Sequence, residues 1–282
     1  MGAPDTGAGP DWLGVCRRSV AGLQQMLAEH PTTGERARAL GRGEGGDESV
    51  FIDRAAEDII FAQLEDLYAQ GHRFYALSEE RGAVDFGGSA LRVIIDPIDG
   101  SLNAKRGLPH HAVSIAVADG ETMADVLFGY VFDFGAREEW VARRGAGAQL
   151  NGAMLADSPP ERRTRDGRLE LVAVESANPR YIAAASEGLL AHVHRVRALG
   201  TMAVSMCQVA ATRVDGMLSL WRCRAVDVAA AQLVVRESGG LVRFTDYADP
   251  LAAPLDLVPR SPVVAARTPE GLAELAEVSP SG

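Results

Sequence analysis

Apolar residues near helical spacing open the chain: Trp12, Val15, Leu23, Met26 and Leu27 predict an amphipathic helix over residues 11–30. A second stripe, Ile52, Ala55, Ile59, Ile60, Leu64 and Leu67, predicts another over 50–70. Between them residues 41–47 are glycine-rich and charged, the composition of a mobile loop. Segments 74–77, 91–95, 112–118, 126–132 and 139–142 then read as strands, punctuated by Gly and Asp as a meander requires. Around 145–168 the chain turns polar and carries Ser158-Pro159-Pro160, which predicts a boundary. Beyond it the pattern predicts strand 169–174, helix 179–190, strand 193–197, helix 201–213, strand 216–221, helix 227–237, and strands 240–244 and 263–266. That alternation reads as α/β. The expected organisation is a disordered tail at 1–10, an N-terminal α+β subdomain at 11–155 and a C-terminal α/β subdomain at 156–282.

The 282 residues are 47% hydrophobic and 23% charged, enough to bury a sizeable core. With 28 basic and 38 acidic side chains the net charge is −10. Such a chain repels polyphosphate backbones, which excludes nucleic acid as a general partner. A small phosphorylated substrate stays open, because bound cations reverse the local field. Cys16, Cys207 and Cys223 are too few and too scattered for a disulfide framework or a zinc site, and they fit a reducing cytoplasm. Residues 1–10 show neither the basic start nor the apolar core of a signal peptide, and no apolar run is long enough to span a bilayer. No membrane partner is expected.

The central chemical feature is Asp96-Pro97-Ile98-Asp99-Gly100-Ser101, delivered by an apolar strand. Proline turns the chain there, and two carboxylates three residues apart on such a turn can converge on one point, with the Ile98 carbonyl between them. Gly100 permits close backbone approach, and the amides that follow can face a phosphate. Oxygen ligands without His or Cys select magnesium over zinc. A plain surface turn would use the same residues. Glu79-Glu80 follows the apolar segment 74–77 and reads equally as a solvated turn. Asp227 opens the helix 227–237 and reads equally as its N-cap.

Taken together and in order, these motifs resemble the inositol monophosphatase family over roughly residues 40–266. Asp96-Pro97-Ile98-Asp99-Gly100-Ser101-Leu102-Asn103 is similar to the family signature, and Ser78-Glu79-Glu80 to its first acidic motif. Ala225-Val226-Asp227-Val228-Ala229-Ala230, running into Glu237-Ser238-Gly239-Gly240, resembles its C-terminal motif, with Val226 where tryptophan is usual. Gly200-Thr201 matches its substrate loop. Details such as Asn103-Ala104 and Gly107-Leu108-Pro109 are closest to the archaeal-type branch, which includes dual inositol-phosphate and fructose-1,6-bisphosphate phosphatases.

The resemblance implies a layered α-β-α-β-α sandwich of the sugar phosphatase type, assembled as a homodimer. It implies two or three magnesium ions held by Glu79, Asp96, the Ile98 carbonyl, Asp99 and Asp227. Glu79 and the Ser101 hydroxyl would orient the attacking water, and Asp53 would hydrogen-bond Ser101, which stands where threonine is usual. Gly100 and Ser101 would meet the scissile phosphate, and Gly200, Thr201 and Met202 would form the opposite wall. The family's inositol-binding acid would fall near Leu218-Ser219-Leu220, where this chain has no carboxylate. Arg222 and Arg224 would share a face if this stretch is extended and would then suit a second phosphate, or else they are solvated or pair with nearby acids. Fructose-1,6-bisphosphate or a related sugar phosphate is therefore the favoured substrate, with inositol-1-phosphate or a nucleotide-type 3′-phosphate as alternatives.

Three other readings compete. Cys207 and Arg213 have the spacing of a cysteine-dependent phosphatase, although the intervening residues lack glycine and read as helix. His192, His194, Arg195 and Arg197 form either a solvated strand edge or part of a phosphate pocket, and His110-His111 reads as structural. A non-catalytic regulatory protein on the same fold is the alternative of another class.

Overall fold

The computed structural model describes residues 9–37, 39–42, 48–155, 159–258 and 260–278. The elements run in chain order as α1 (Trp12–Glu29), α2 (Thr33–Arg36), β1 (Ala39–Arg42), β2 (Glu48–Val50), α3 (Phe51–Ala69), β3 (Phe74–Ser78), β4 (Gly82–Phe86), β5 (Arg92–Asp99) and α4 (Ser101–Arg106). There follow β6 (Ala112–Ala118), a short 3₁₀ turn (Met123–Asp125), β7 (Val126–Asp133), β8 (Glu138–Arg143), β9 (Gly147–Leu150) and β10 (Ala153–Met154). The rest comprises β11 (Leu169–Glu175), α5 (Pro179–Ala184), α6 (Ser186–His192), β12 (Val193–Arg197), α7 (Met202–Ala210), β13 (Gly216–Ser219), α8 (Ala225–Glu237), β14 (Leu241–Phe244), β15 (Val263–Ala266) and α9 (Pro269–Val278).

An eight-stranded sheet has the order β10-β9-β8-β7-β6-β5-β3-β4, antiparallel except where β3 runs parallel to β5. A five-stranded sheet has the order β12-β11-β13-β15-β14, and within it β11 is parallel to both β12 and β13. Alternate residues of the large sheet face opposite cores, as the two-residue strand period dictates. Val93, Ile95, Val113, Ile115 and Val117 pack with α1 and α3, on Leu23, Ile52, Ile60 and Leu64. Ile94, Ala112, Ala116 and Val131 pack on α7 and α8, which in turn cover Ala173, Met217, Val263 and Ala265 of the small sheet. The far face of that sheet, with Leu169, Val172 and Val174, is covered by Ala185, Leu275 and Val278 of the outer helical layer. The result is the expected sequence of layers, α-β-α-β-α.

Burial on both faces explains why β6 is apolar at every position but Ser114 and why its predicted bounds coincide with the observed strand. Gly129 of β7 shows how closely the central helices approach: a Cβ there would lie 2.6 Å from the Ala230 carbonyl oxygen. Helix α8 therefore rests directly on the large sheet, which sets the height of Asp227 above it.

Several local expectations change. The segment 91–95 continues as β5 to Asp99, with a break in pairing to β6 between Asp96 and Asp99. The motif is thus an irregular strand end rather than a free turn, and Pro97 occupies the irregularity, where a missing N–H costs no ladder bond. The helix expected at 179–190 divides at Ala185 into α5 and α6. Asp227 is the third residue of α8, not its N-cap, because Arg224 takes that place and receives the Asp227 carboxylate on its backbone N–H. Gly41 and Arg42 of the expected mobile loop belong to β1, paired with β2, while residues 43–47, including Glu44 and Asp47, lie outside the described residues. Residues 1–8 of the expected tail do so too.

Candidate active site

The carboxylates arrive from three places. Glu79 sits in the turn between β3 and β4, Asp96 and Asp99 at the end of β5, and Asp227 in the first turn of α8. With Asp53, Glu80, Ile98, Gly100, Ser101, Lys105, Met202 and Arg224 they line one cavity of about 300 Å³. Thus Glu79, Ser101, Asp53, Asp96, Ile98, Asp99, Gly100, Met202, Arg224 and Asp227, all singled out in the sequence, come together. A second cavity of about 360 Å³ shares Asp99 and Met202 and adds Gly200, Thr201, Asn103, Glu175 and Ser176. A larger hollow of about 640 Å³, lined by residues that include Gln24, Arg36, His111 and Arg137, has no carboxylate among its lining residues.

Gly100 adopts φ +85, and a Cβ there would stand 2.9 Å from the Gly200 carbonyl oxygen. Glycine is needed for both reasons. It brings the start of α4 against the Gly200 loop. Asn103 stitches the two together, donating from Nδ2 to the Leu199 carbonyl at 2.7 Å and to the His110 carbonyl at 2.9 Å.

Asp99 is held most tightly. Its carboxylate accepts from the Thr201 hydroxyl, from Met202 N at 3.2 Å and from Ala203 N at 2.7 Å, so the N-terminus of α7 grips a residue of the other sheet. Glu175, at the end of β11, accepts from Leu199 N at 2.9 Å, Gly200 N at 3.0 Å and Ser205 Oγ at 2.6 Å. It thereby fixes that loop from behind. Asp96 accepts only from Ile98 N, at 3.1 Å. The Ser101 hydroxyl donates to the Ile98 carbonyl at 2.9 Å, and because it carries one proton, donating to Asp53 means giving up that bond. Asp53 has a buried Oδ1 with no hydrogen-bond partner, and its Oδ2 lies 3.5 Å from Lys105 Nζ.

The two arginines do not form the expected second-phosphate pair. Arg222 leans outward to Asp246 at 3.3 Å, whereas Arg224 folds inward, with Nη1 at 2.8 Å from Glu79 and Nη2 at 3.2 Å from Asp227. The stretch is not a regular strand, so its alternate side chains need not share a face. Leu218, Ser219 and Leu220 carry no carboxylate, as read, but they are fully buried and line neither cavity, so the wall expected there does not form. Cys207 lies wholly inside α7, burial pushes its thiol well above the usual range, and Arg213 is engaged by Glu138 at 2.7 Å; the cysteine mechanism has no site. His110 pairs with buried Asp133 at 3.0 Å, and His111 stacks on Phe134. His194, Arg195 and Arg197 are exposed on β12, at the sheet edge.

Lys105 and Glu175 were missed. Lys105 carried no motif signal, but Glu175 did: it is a lone carboxylate closing the apolar run Val172-Ala173-Val174, where burial demands partners.

Burial and mutual repulsion dominate the electrostatics. Burial pushes Glu79 up to about 7, with Arg224 opposing and Asp227 adding to the rise. Asp99 also reaches about 7 through burial, against the stabilising Thr201 hydroxyl. Asp96 rises well above the carboxylate range through burial and the charges of Glu79, Asp99 and Asp227. A site of hard oxygens that resist ionisation in one another's presence fits a divalent cation, which would remove the cause. Glu79, Asp96, Asp99, Asp227 and the Ile98 carbonyl are the donors available. Among the described residues, however, no three acidic, His or Cys side chains stand ready to ligate one ion. Arg224 lies between two of them.

The raised values set a pH dependence. Folded Glu79 and Asp99 hold protons more tightly than unfolded carboxyls near about pH 4, so the stability they contribute is complete below that value and lost as pH rises through about 7. His111, whose imidazole burial holds below its usual value, acts in the opposite sense. Melting curves in chelator and in magnesium, from about pH 5.5 to about pH 8, isolate the carboxylate part. The gain in melting temperature from magnesium should widen with pH; a gain independent of pH would contradict this assignment.

The sequence matches the profile of the inositol monophosphatase family over residues 18–281. It is 32% identical over 233 residues to a fructose-1,6-bisphosphatase/inositol-1-monophosphatase of Thermococcus kodakarensis, covering 82% of this chain and 83% of that one. It is 31% identical to a Vibrio cholerae protein named Nus factor SuhB, over 84% of this chain and 85% of that one. Among solved structures, the MJ0109 gene product, an inositol monophosphatase–fructose 1,6-bisphosphatase, superposes with a TM-score of 0.78 at 26% identity, covering 95% of this chain and 100% of that one. With the layered fold and the shared cavity of carboxylates, this match establishes that the chain belongs to the inositol monophosphatase family.

Proposed function

We propose that this protein is a magnesium-dependent phosphomonoesterase acting on a small sugar phosphate, with fructose-1,6-bisphosphate or a related compound preferred over inositol-1-phosphate. The observation that carries the reading is the single cavity in which Glu79, Asp96, Asp99, Asp227 and the Ile98 carbonyl meet the amides at Gly100 and Ser101. The names of the Thermococcus and MJ0109 relatives, which cover both sugar and cyclitol phosphates, support the substrate class. The lack of a carboxylate near 218–220, where the family resemblance would put the inositol-binding acid, favours the sugar.

When bound, magnesium would lower the pKa of water and offset charge on the attacking and leaving oxygens. The chain supplies position. Gly100, in its left-handed conformation, opens the first turn of α4, whose amides receive phosphate oxygens. Ser101 and Glu79 orient the water, with the Ser101 hydroxyl free to turn between the Ile98 carbonyl and Asp53. Burial raises the Asp53 carboxyl above its usual range, and Lys105 opposes that rise. Thr201 and the α7 amides hold Asp99 still, and Met202 lines both cavities. The division at about residue 155 places Asp227 and the Gly200 loop in a second subdomain across this cleft.

The three cysteines are free and buried, which supports a reducing cytoplasmic setting; among the described residues no helix is long and apolar enough to cross a membrane. A homodimer follows from the family resemblance. A regulatory role is the second reading, favoured by the name of the Vibrio relative. Phosphate release from a panel of sugar, cyclitol and nucleotide 3′-phosphates, with magnesium and with chelator, decides between them, with sedimentation velocity reading the oligomeric state. Magnesium-dependent release fastest on a sugar phosphate is expected. No release from any member would leave the regulatory reading in place.

A further inference from the structure

The N-cap residue of α8 is an arginine, a residue with no side-chain acceptor for the helix amides, and its side chain turns away from solvent into the carboxylate cavity. Only 13% of it is exposed. Its guanidinium reaches Glu79 Oε1 at 2.8 Å on one side and Asp227 Oδ1 at 3.3 Å from Nε and 3.2 Å from Nη2 on the other. These two carboxylates come from different layers, the β3–β4 turn and α8. They would otherwise repel one another beside Asp96, in a place where burial makes repulsion costly. Asp99 needs no such help, because the start of α7 already supplies three donors.

From this geometry we propose that Arg224 is a resident counter-cation: it bridges Glu79 and Asp227 while no metal is bound and must withdraw from them for a divalent ion to be ligated, so it sets the metal affinity of the site. The inference rests on the phosphatase reading above. A guanidinium in contact with these carboxylates and a divalent cation ligated by them would repel one another at contact distance, so the two compete for the same place. Arginine suits the post because its planar fork spans two carboxylates at once and stays charged at any working pH. Its long stem also lets the head leave without moving the backbone of the cap, which Asp227 holds through Arg224 N at 2.8 Å. Arg224 is thus an affinity-determining residue rather than a ligand.

The test is isothermal titration of the metal-free protein with magnesium chloride, without substrate, for wild type, Arg224→Gln and Arg224→Lys, together with melting curves in chelator. Arg224→Gln should bind magnesium at least about tenfold more tightly than wild type, the loss of about one elementary charge at contact. Arg224→Lys, which keeps the charge but not the fork, should fall between them. Metal-free Arg224→Gln should melt below wild type, because Glu79 and Asp227 are left facing each other. Equal or weaker magnesium binding in Arg224→Gln overturns the proposal. If that variant does not fold, the Arg224→Lys isotherm decides by the same sign. Wild-type protein that takes up no magnesium would instead overturn the metal-dependent reading on which the proposal stands, an outcome distinct from unchanged affinity.

Discussion

Replacing Asp96 with asparagine should lower phosphate release about a thousandfold, as loss of several kcal/mol of charge stabilisation implies, and at the same time raise the melting temperature of the metal-free protein. The two effects share one cause. Asp96 is almost fully buried and accepts a single hydrogen bond, so its charge is the least compensated in the cavity. Glu79, Asp99 and Asp227 all raise its pKa after burial has done so. An asparagine keeps the shape and the acceptor for Ile98 N while removing that repulsion, which stabilises the empty site and weakens the cation site. Steady-state phosphate release and chelator melts on the same preparation check both signs. Activity lost together with metal-free stability would mean that Asp96 is a folding residue, and the catalytic assignment would go.

The largest stability effect is expected far from the cavity. Asp215 precedes β13 with no exposure, and it accepts from Arg162 N at 2.9 Å, Leu171 N at 3.0 Å and Arg267 Nη2 at 2.8 Å. Arg267 is also buried, and two of its nitrogens have no hydrogen-bond partner. Asp215→Ala leaves that guanidinium inside the protein without its counter-charge and should cost about 3–5 kcal/mol. Denaturant titration reads it. Adding Arg267→Met to Asp215→Ala should recover part of the loss, because the stranded charge then goes too. A single-variant cost below about 1 kcal/mol, the worth of an exposed pair, would show that water reaches Arg267.

How much of this was readable in the sequence depends on whether local pattern or tertiary partnership decided the outcome. The stripe on α3 and the wholly buried β6 answer to burial alone, and their positions follow from spacing. The acidic motifs, in order, located most of the cavity, because the chemistry requires those residue types close together. What the spacing does not encode is which way a long side chain turns. Arg224 looks extended beside Arg222 until Glu79, far off in sequence, is placed next to it. Asp227 looks like an N-cap until Arg224 takes that position. Helix 179–190 has no glycine or proline at its break, and Ala185 is instead drawn into the core beneath β11. Strand β4 and helix α9 went unread, the first because its alternation is partial and the second because Leu272, Leu275 and Ala276 were not weighed as a helical stripe.

The grip of α7 on Asp99 has a consequence for the order in which this chain is made. On the ribosome the β3–β4 turn with Glu79 and strand β5 with Asp96 and Asp99 emerge well before Thr201, Ala203 and Arg224. Until then the first sheet holds a crowded acidic pocket with none of the donors that quiet it, and one face of that sheet waits for α7 and α8. Distant partners must be awaited at a real cost in chain entropy. Translation paused before residue 200 should therefore leave an open, protease-sensitive sheet, and translation carried past α8 a resistant one, a difference that limited digestion of stalled chains would register. Synthesis itself thus acts as a timer, and the pocket gains its chemistry only when the second half of the message has been read.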